Sequence, residues 1–292
     1  MRPPDFVIAG HPKCGSTTLQ KYLVQHPQLD MGPNKEPSLY LDHWQSWQQG
    51  ELTYYTKTER NDILLGDATV GYVKQAVVAE RIARCNPETK IVFLVRDPIA
   101  RALSHYHHWL RHGKDVRSLR KVILHSSPDH YFYLFGSYFQ HLTTYLSHFP
   151  NDQVFHLFFE DLVQDPSNTL IPLWDFLGIE KIETEGDRHW ENAGHGVKAR
   201  RLSRWLKVQK ESGHLRRVFP AGIRRIGGEG LRRLEAWNRS SRRHVPAAEE
   251  LEYMKAIFYP EVAGTINFLK TRKGRTGFPD WTKEYLDDRP KN

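Results

Sequence analysis

Between Asp5 and Leu23 the chain carries the pattern that sets its fold class. Asp5–Gly10 is an apolar run that ends in glycine. It passes into His11-Pro12-Lys13-Cys14-Gly15-Ser16-Thr17-Thr18, after which Leu19, Tyr22 and Leu23 recur at helical spacing until His26-Pro27. This reads as strand, loop, helix. Glycines after a strand let the backbone curl so that amide hydrogens point inward, and the following helix offers unpaired N–H groups and its positive dipole end. The segment predicts a phosphate-binding loop, with a ligand-free tight turn as the bland alternative. In the nucleoside-triphosphatase form of G-x-x-x-x-G, lysine and then Ser/Thr follow the second glycine. Here Ser16 stands where that lysine would be, and the lysine sits inside the loop at position 13. That displacement argues against ATP or GTP hydrolysis, which couples the lysine to Mg²⁺ and a γ-phosphate.

A second unit of the same kind begins at Lys90. Ile91-Val92-Phe93-Leu94-Val95 is a continuous apolar strand of the buried parallel type, and Arg96-Asp97-Pro98 opens a helix with proline in its first turn. Ile63–Leu65 and Val154–Phe159 are further strand candidates, with helices expected over about 74–84 and 138–149. Strands alternating with helices imply an α/β fold: a P-loop-type parallel β-sheet flanked by helices on both faces. Pro246–Tyr259 and Pro260–Leu269 each begin with proline in a first-turn position and carry apolar residues at helical spacing, which predicts a helical C-terminal region made of two helices. A chain of 292 residues can bury its core as one domain. The expectation is a single domain over 1–292, with a core over 1–178 and a basic, mostly helical closing region over 179–292.

No apolar stretch reaches the roughly 18 residues of a membrane span, and the apolar run at Phe6 is too short for a signal-peptide core. Two cysteines, Cys14 and Cys85, cannot build a disulfide framework, so a reducing cytoplasm is the expected location. The net charge of +8 is concentrated: Lys198–Arg243 holds fifteen Lys/Arg against Glu211, Glu229 and Glu235. This stretch reads either as a solvated helical face or as an anion-binding surface, and its glycine-rich part at Ala221–Gly230 as a flexible excursion. A nucleic-acid-binding protein is the reading of another class, but Trp205 and Trp237 in the stretch belong to no recognition motif.

Three ordered segments carry a family resemblance. Lys13-Cys14-Gly15-Ser16-Thr17-Thr18-Leu19, then Lys35-Glu36-Pro37, then Arg96–Tyr106 resemble the signatures of sulfotransferases, especially the heparan sulfate sulfotransferase-like branch and its bacterial relatives. Gly66–Tyr72, Gly136-Ser137-Tyr138 and Phe159–Leu162 resemble further landmarks, so the likeness covers about Asp5–Gly178. It implies a donor, 3′-phosphoadenosine 5′-phosphosulfate, whose phosphosulfate lies on Lys13, Cys14, Gly15, Ser16, Thr17 and Thr18. Lys13 would stabilise charge on the bridging oxygen as the S–O bond breaks. The resemblance also implies that Arg96 and Ser104 grip the 3′-phosphate. Eight residues separate them, about two helical turns, so both could approach one anion; an ion pair of Arg96 with Asp97 is the alternative.

Glu36 matches the glutamate of the family's Lys-Glu-Pro signature and is the implied catalytic base, because an acceptor hydroxyl or amine loses a proton as it attacks sulfur. A brace before Pro37 is the counter-reading, and Lys35 would bind phosphosulfate or tune Glu36. Asn192–Arg201 loosely resembles the segment that closes over the nucleotide in bacterial members, which would bring Lys198 to a phosphate or, alternatively, to an acidic acceptor. Lys273–Thr276 is another phosphate-nesting candidate.

No histidine among His11, His43, His105, His107 and His108 falls in a recognisable base signature, and no metal is expected. The implied acceptor is a carbohydrate, glycolipid or natural product. A P-loop kinase or nucleotidase is the competing enzyme reading; it would need Asp67 as a Mg²⁺ ligand and leaves Arg96 and Ser104 unexplained.

Overall fold

The computed structural model describes residues 2–51, 54–55, 60, 62–184, 196–212, 231, 233–240 and 243–286. The segments 192–195 and 221–230 singled out in the sequence, and the other residues of 213–230, lie outside the described residues. The chain divides into two compact units. The first comprises 1–101, 134–191 and 255–292, and the second 102–133 and 192–254.

The first unit is built on a five-stranded parallel sheet in the order β2-β3-β1-β4-β5. The strands are β1 (Phe6–Gly10), β2 (Leu29–Asp30), β3 (Leu64–Asp67), β4 (Lys90–Val95) and β5 (Val154–Phe158). Every β1 residue and every β4 residue from Ile91 to Val95 is buried, which is why these runs show no polar alternation. On one face Ile8, Leu19, Leu23, Leu157, Leu173 and Trp174 form a core with the helices Ser16–Leu23 and Pro166–Leu177. On the other face, Phe93 meets Tyr145 of the helix Tyr138–Leu146 edge-on, with ring centroids 5.2 Å apart. The sheet is thus covered on both sides. The order places β1 between β3 and β4, so the C-terminal ends of these three strands deliver the phosphate loop, Asp67 and Arg96 to one edge of the unit.

The C-terminal prolines behave differently from the expectation of two helices. One helix runs unbroken from Ala248 to Lys273 with Pro260 inside it. Proline removes one helical hydrogen bond and usually breaks a helix. Here Phe258, Val262, Ile266 and Leu269 are all buried on one side of it, and Phe139 packs against Gly264. Burial on both sides of the proline outweighs the lost bond.

In the second unit β6 (Gly196–Val197) pairs antiparallel with β7 (Arg239–Ser240). The Asn238 side chain joins the two segments: Oδ1 accepts from the Ala199 N–H at 2.8 Å, and Nδ2 donates to the Ala199 carbonyl and to Ser203 Oγ. Among the described residues no helix is long and apolar enough to cross a membrane.

Candidate active site

The loop after β1 is shaped by backbone that only certain residues tolerate. Gly15 has φ 90° and caps the helix Ser16–Leu23, and Lys13 has φ 72°. No side chain caps that helix, its first turn holds no acidic residue, and its first intrahelical bond is Leu19 N–H to the Gly15 carbonyl. The amides of Ser16, Thr17 and Thr18 are therefore available to an anion, with the dipole in the favourable sense.

Two neighbours brace the loop from beneath. A Cβ on Gly15 would come within 2.6 Å of the Phe159 ring, so the loop lies directly on that side chain. Arg96 covers the same ring with its guanidinium 4.2 Å from the centroid, and its Nη1 donates to the Lys13 carbonyl at 3.0 Å. The Arg96 carbonyl accepts from Tyr138 Oη at 2.8 Å. The alternative of an Arg96–Asp97 ion pair loses its motive, because the Asp97 carboxylate instead accepts from the Ile99 N–H at the start of the helix Pro98–Arg111.

Cys14 is sealed inside the loop with its thiol 3.8 Å from Tyr138 Oη, and burial pushes that thiol up to about 12. It braces the loop and cannot act as a thiolate at neutral pH. His11 is also interior. Its Nδ1 lies 2.9 Å from the Leu94 carbonyl, which can only accept, so Nδ1 carries the proton and Nε2 accepts from His141 Nδ1 at 3.2 Å. Burial, reinforced by His141, holds the His11 pKa well below its ordinary value, so the imidazole is neutral and structural.

The structure brings the Lys35-Glu36-Pro37 segment onto the loop helix. Lys35 Nζ donates to Thr17 Oγ1 at 2.9 Å and to Ser16 Oγ at 3.2 Å, and lies 3.4 Å from Glu36 Oε1. A cation thus stands beside the free amides of the helix start. The far side of the segment is tied to β3: the Ser38 N–H donates to Thr69 Oγ1 at 3.0 Å, and that hydroxyl donates to Asp67 Oδ1 at 2.6 Å. Tyr72 Oη donates to Asp67 Oδ2, and the Thr69 N–H to Oδ1. Asp67 is fully buried, and burial raises its pKa to about 6 against these hydrogen bonds. Both oxygens accept from the scaffold and the group is fully buried, which leaves no open face for the Mg²⁺ that the kinase reading requires. Glu36 is nearly half exposed, so the desolvation expected of a cleft carboxylate is not supplied by the protein's own residues.

Lys35, auxiliary on the sequence reading, donates from its side chain to two hydroxyls of the loop helix. Phe159, Tyr138 and Thr69 were visible as landmarks without a task; contacts across 144, 42 and 31 positions of sequence leave no local signal. Ser104 and Lys198 lie in the second unit. Ser104 is half-buried on the helix Pro98–Arg111, and Lys198 Nζ stands 5.0 Å from the Trp237 ring centroid. His107 in that unit is a packed imidazole, receiving the His244 N–H at Nε2 and facing the Leu103 carbonyl with Nδ1. Arg275 pairs with Asp161 and covers Phe158, so the stretch at Lys273 serves the β5 edge.

A parallel α/β unit with a glycine loop after β1, a cation on the loop helix and an arginine at the next strand end has the architecture of a P-loop-type fold. Residues 3–194 match the sulfotransferase domain model, and the chain belongs to the sulfotransferase family. Among similar proteins, mouse heparan sulfate glucosamine 3-O-sulfotransferase 3B1 is 29% identical over 197 residues, 64% of this chain and 48% of the relative. The membrane-associated sulfotransferase kil1 of Dictyostelium discoideum is 33% identical over 117 residues, 38% of this chain and 25% of that protein. The match thus spans about half of the first relative's length and a quarter of the second's. The crystal structure of a sulfotransferase from Alicyclobacillus acidocaldarius superposes with a TM-score of 0.55 at 25% identity, over 65% of this chain and 87% of that one.

Proposed function

We propose that this chain transfers a sulfuryl group from 3′-phosphoadenosine 5′-phosphosulfate to a hydroxyl or amine of a carbohydrate, glycolipid or natural-product acceptor. The observation that carries the reading is the cation of Lys35 held against Ser16 and Thr17 at the uncapped start of the loop helix. In the reaction the acceptor oxygen or nitrogen attacks sulfur in line, the S–O bond to the 5′-phosphate breaks, and the leaving phosphate takes the bonding electron pair. Charge therefore grows on a phosphate oxygen in the transition state. Fixed donors aimed there lower the barrier without reorganising. The amides of Ser16, Thr17 and Thr18, with Lys13 and Lys35, are the groups proposed for that task. Glu36 is proposed to take the acceptor's proton, and Arg96 to hold the 3′-phosphate from its seat on Phe159.

The roles expected for Ser104 and Lys198 remain parts of this proposal, as do a cytoplasmic location and a partner list without nucleic acid. A nucleotide kinase is the less supported reading, because Asp67 is committed to Thr69 and Tyr72.

Calorimetric titration with 3′-phosphoadenosine 5′-phosphate in the absence of Mg²⁺, with ADP and GDP as controls, tests the reading. Selective binding that Lys13→Ala, Lys35→Ala and Arg96→Ala each weaken at least tenfold supports it, a change of about 1.4 kcal/mol. Binding of ADP or GDP with equal affinity, or a requirement for Mg²⁺, would replace it with the kinase reading. With an acceptor in hand, Glu36→Gln should lower kcat while leaving donor affinity intact.

A further inference from the structure

The second unit holds a cluster of cations with no part in the proposed chemistry. His244 ties the chain after β7 to the helix Pro98–Arg111: its N–H donates to His107 Nε2 at 3.0 Å, and the two imidazoles stack with their planes 5° apart. Arg111 stands one helical turn beyond His107, and Arg243 immediately precedes His244. The contact therefore brings both arginines to the same end of the helix. β7 adds Arg239, whose partner across the ladder is Val197, so no carboxylate faces it there.

The three guanidinium groups act on one another. Arg111 is half-buried, and burial, with the positive charges of Arg239 and Arg243, lowers its pKa from the ordinary arginine value. Its Nε is enclosed without a hydrogen-bond partner, and among the described residues no carboxylate pairs with any of the three. The unit's buried carboxylates among the described residues are paired with other cations: Asp115 with Arg117 and His130, Glu250 with Arg120.

One cation in the last turn of a helix is ordinary, because it complements the dipole and the free carbonyls. That accounts for Arg111 alone and gives no reason for Arg239 and Arg243 beside it. Like charges held together away from bulk water repel, and a bound anion reverses the sign of that energy. Guanidinium forks match the oxygens of a phosphate group in geometry as well as charge. At neutral pH a phosphate monoester carries close to two negative charges, which suits three cations better than a singly charged group does.

We propose that Arg111, Arg239 and Arg243 form an oxyanion site that takes a dianionic phosphate group, either free or as the monoester of a sugar. The site is separate from the donor loop and stands whether or not the sulfuryl-transfer reading does.

The test is calorimetric titration of the full chain carrying Lys13→Ala and Lys35→Ala, which disable the loop as a competing phosphate site. The probes are inorganic phosphate and glucose 6-phosphate, with glucose 6-sulfate as the monoanion and glucose as the uncharged body. At least one phosphate should bind tenfold or more tightly than glucose 6-sulfate. Equal affinity of the two phosphates identifies the free ion as sufficient, and tighter glucose 6-phosphate identifies the ester. Arg239→Gln and Arg243→Gln, both at exposed positions, should each weaken that binding at least tenfold. Their melting temperatures without ligand should stay level or rise, because a repulsion is removed. With the loop intact, both variants should bind 3′-phosphoadenosine 5′-phosphate as the parent does. If the parent itself does not bind that nucleotide, the donor reading fails and the phosphate titrations decide alone. No phosphate binding, equal affinity for glucose 6-sulfate, undiminished binding by the arginine variants, or a lower melting temperature in both overturns the proposal. So does a loss of nucleotide affinity in the arginine variants, which would assign the cluster to the donor.

Discussion

Gly15→Ala should damage stability and ligand binding together, through one side chain. At φ 90° an L residue pays about 1–2 kcal/mol for left-handed backbone. The new methyl would also lie 2.6 Å from Phe159 Cδ2, closer than carbon contacts allow, and a tight 3.1 Å from Cε2, so the ring has to move. Overpacking of this kind costs roughly 1–3 kcal/mol, which brings the total to about 2–5 kcal/mol. The ring cannot move alone, because the Arg96 guanidinium rests on it at 4.2 Å while bonded to the Lys13 carbonyl. Displacing it shifts the loop and the arginine together.

Urea unfolding measures the first effect, and titration with 3′-phosphoadenosine 5′-phosphate the second, expected to weaken at least tenfold. Phe159→Leu in the Gly15→Ala background separates space from backbone strain: the steric share should return as a coupling of about 1 kcal/mol or more in the double-mutant cycle. If Gly15→Ala unfolds within about 0.5 kcal/mol of the parent, the size of an ordinary surface substitution, and binds the nucleotide normally, the loop does not rest on Phe159 as described.

Three further outcomes follow from buried titratable groups. A thiol reagent such as 5,5′-dithiobis(2-nitrobenzoate) should label half-buried Cys85 in the native protein while Cys14 reacts only on unfolding, since its thiol is enclosed and pushed up to about 12; comparable native rates would contradict this. Asp67, raised to about 6 by burial, favours the folded state while protonated, and that contribution is lost as pH rises from about 4 through 6. The stability difference between parent and Asp67→Asn should therefore fall by up to about 3 kcal/mol over that window, and parallel profiles would refute it. His141 titrates in the opposite sense: burial, with Arg101 nearby, lowers its pKa to about 4, so its contribution is full above pH 6.5 and drains away on acidification. By pH 5 the parent should have lost about 2 kcal/mol relative to His141→Gln, and an unchanged difference between pH 7 and 5 would exclude a buried neutral imidazole.

The legible parts of this chain are those whose physics is local. An apolar strand that must be buried on both faces announces itself without alternation, so β1 and β4 were readable, as was the glycine loop that a helix start completes. The two-residue strand Leu29–Asp30 was not, because it offers too little sequence for any period to emerge. Pro260 misled for a related reason. A local rule stops a helix at proline, while the packing of Phe258, Val262 and Ile266 that overrides it comes from elsewhere in the fold. In the site, Lys13, Glu36 and Arg96 could be named from ordered motifs, but the tasks of Phe159, Tyr138 and Thr69 could not. Their meaning lies in whom they touch, and spacing along the chain does not carry it.

The Lys35–Ser38 segment is pinned at both ends, by the lysine ammonium on the loop helix and by the Ser38 amide on Thr69. Between the pins stand only Glu36 and Pro37, the second with its φ fixed by its own ring. A strap that short spans at most about 10 Å even fully extended, so its carboxylate can swing on its side chain but cannot travel. On the proposed reading, the enzyme cannot reach for differently shaped acceptors by moving its base. The acceptor must deliver its proton to a stationary point, and selectivity becomes a matter of which molecules are the right length to do so.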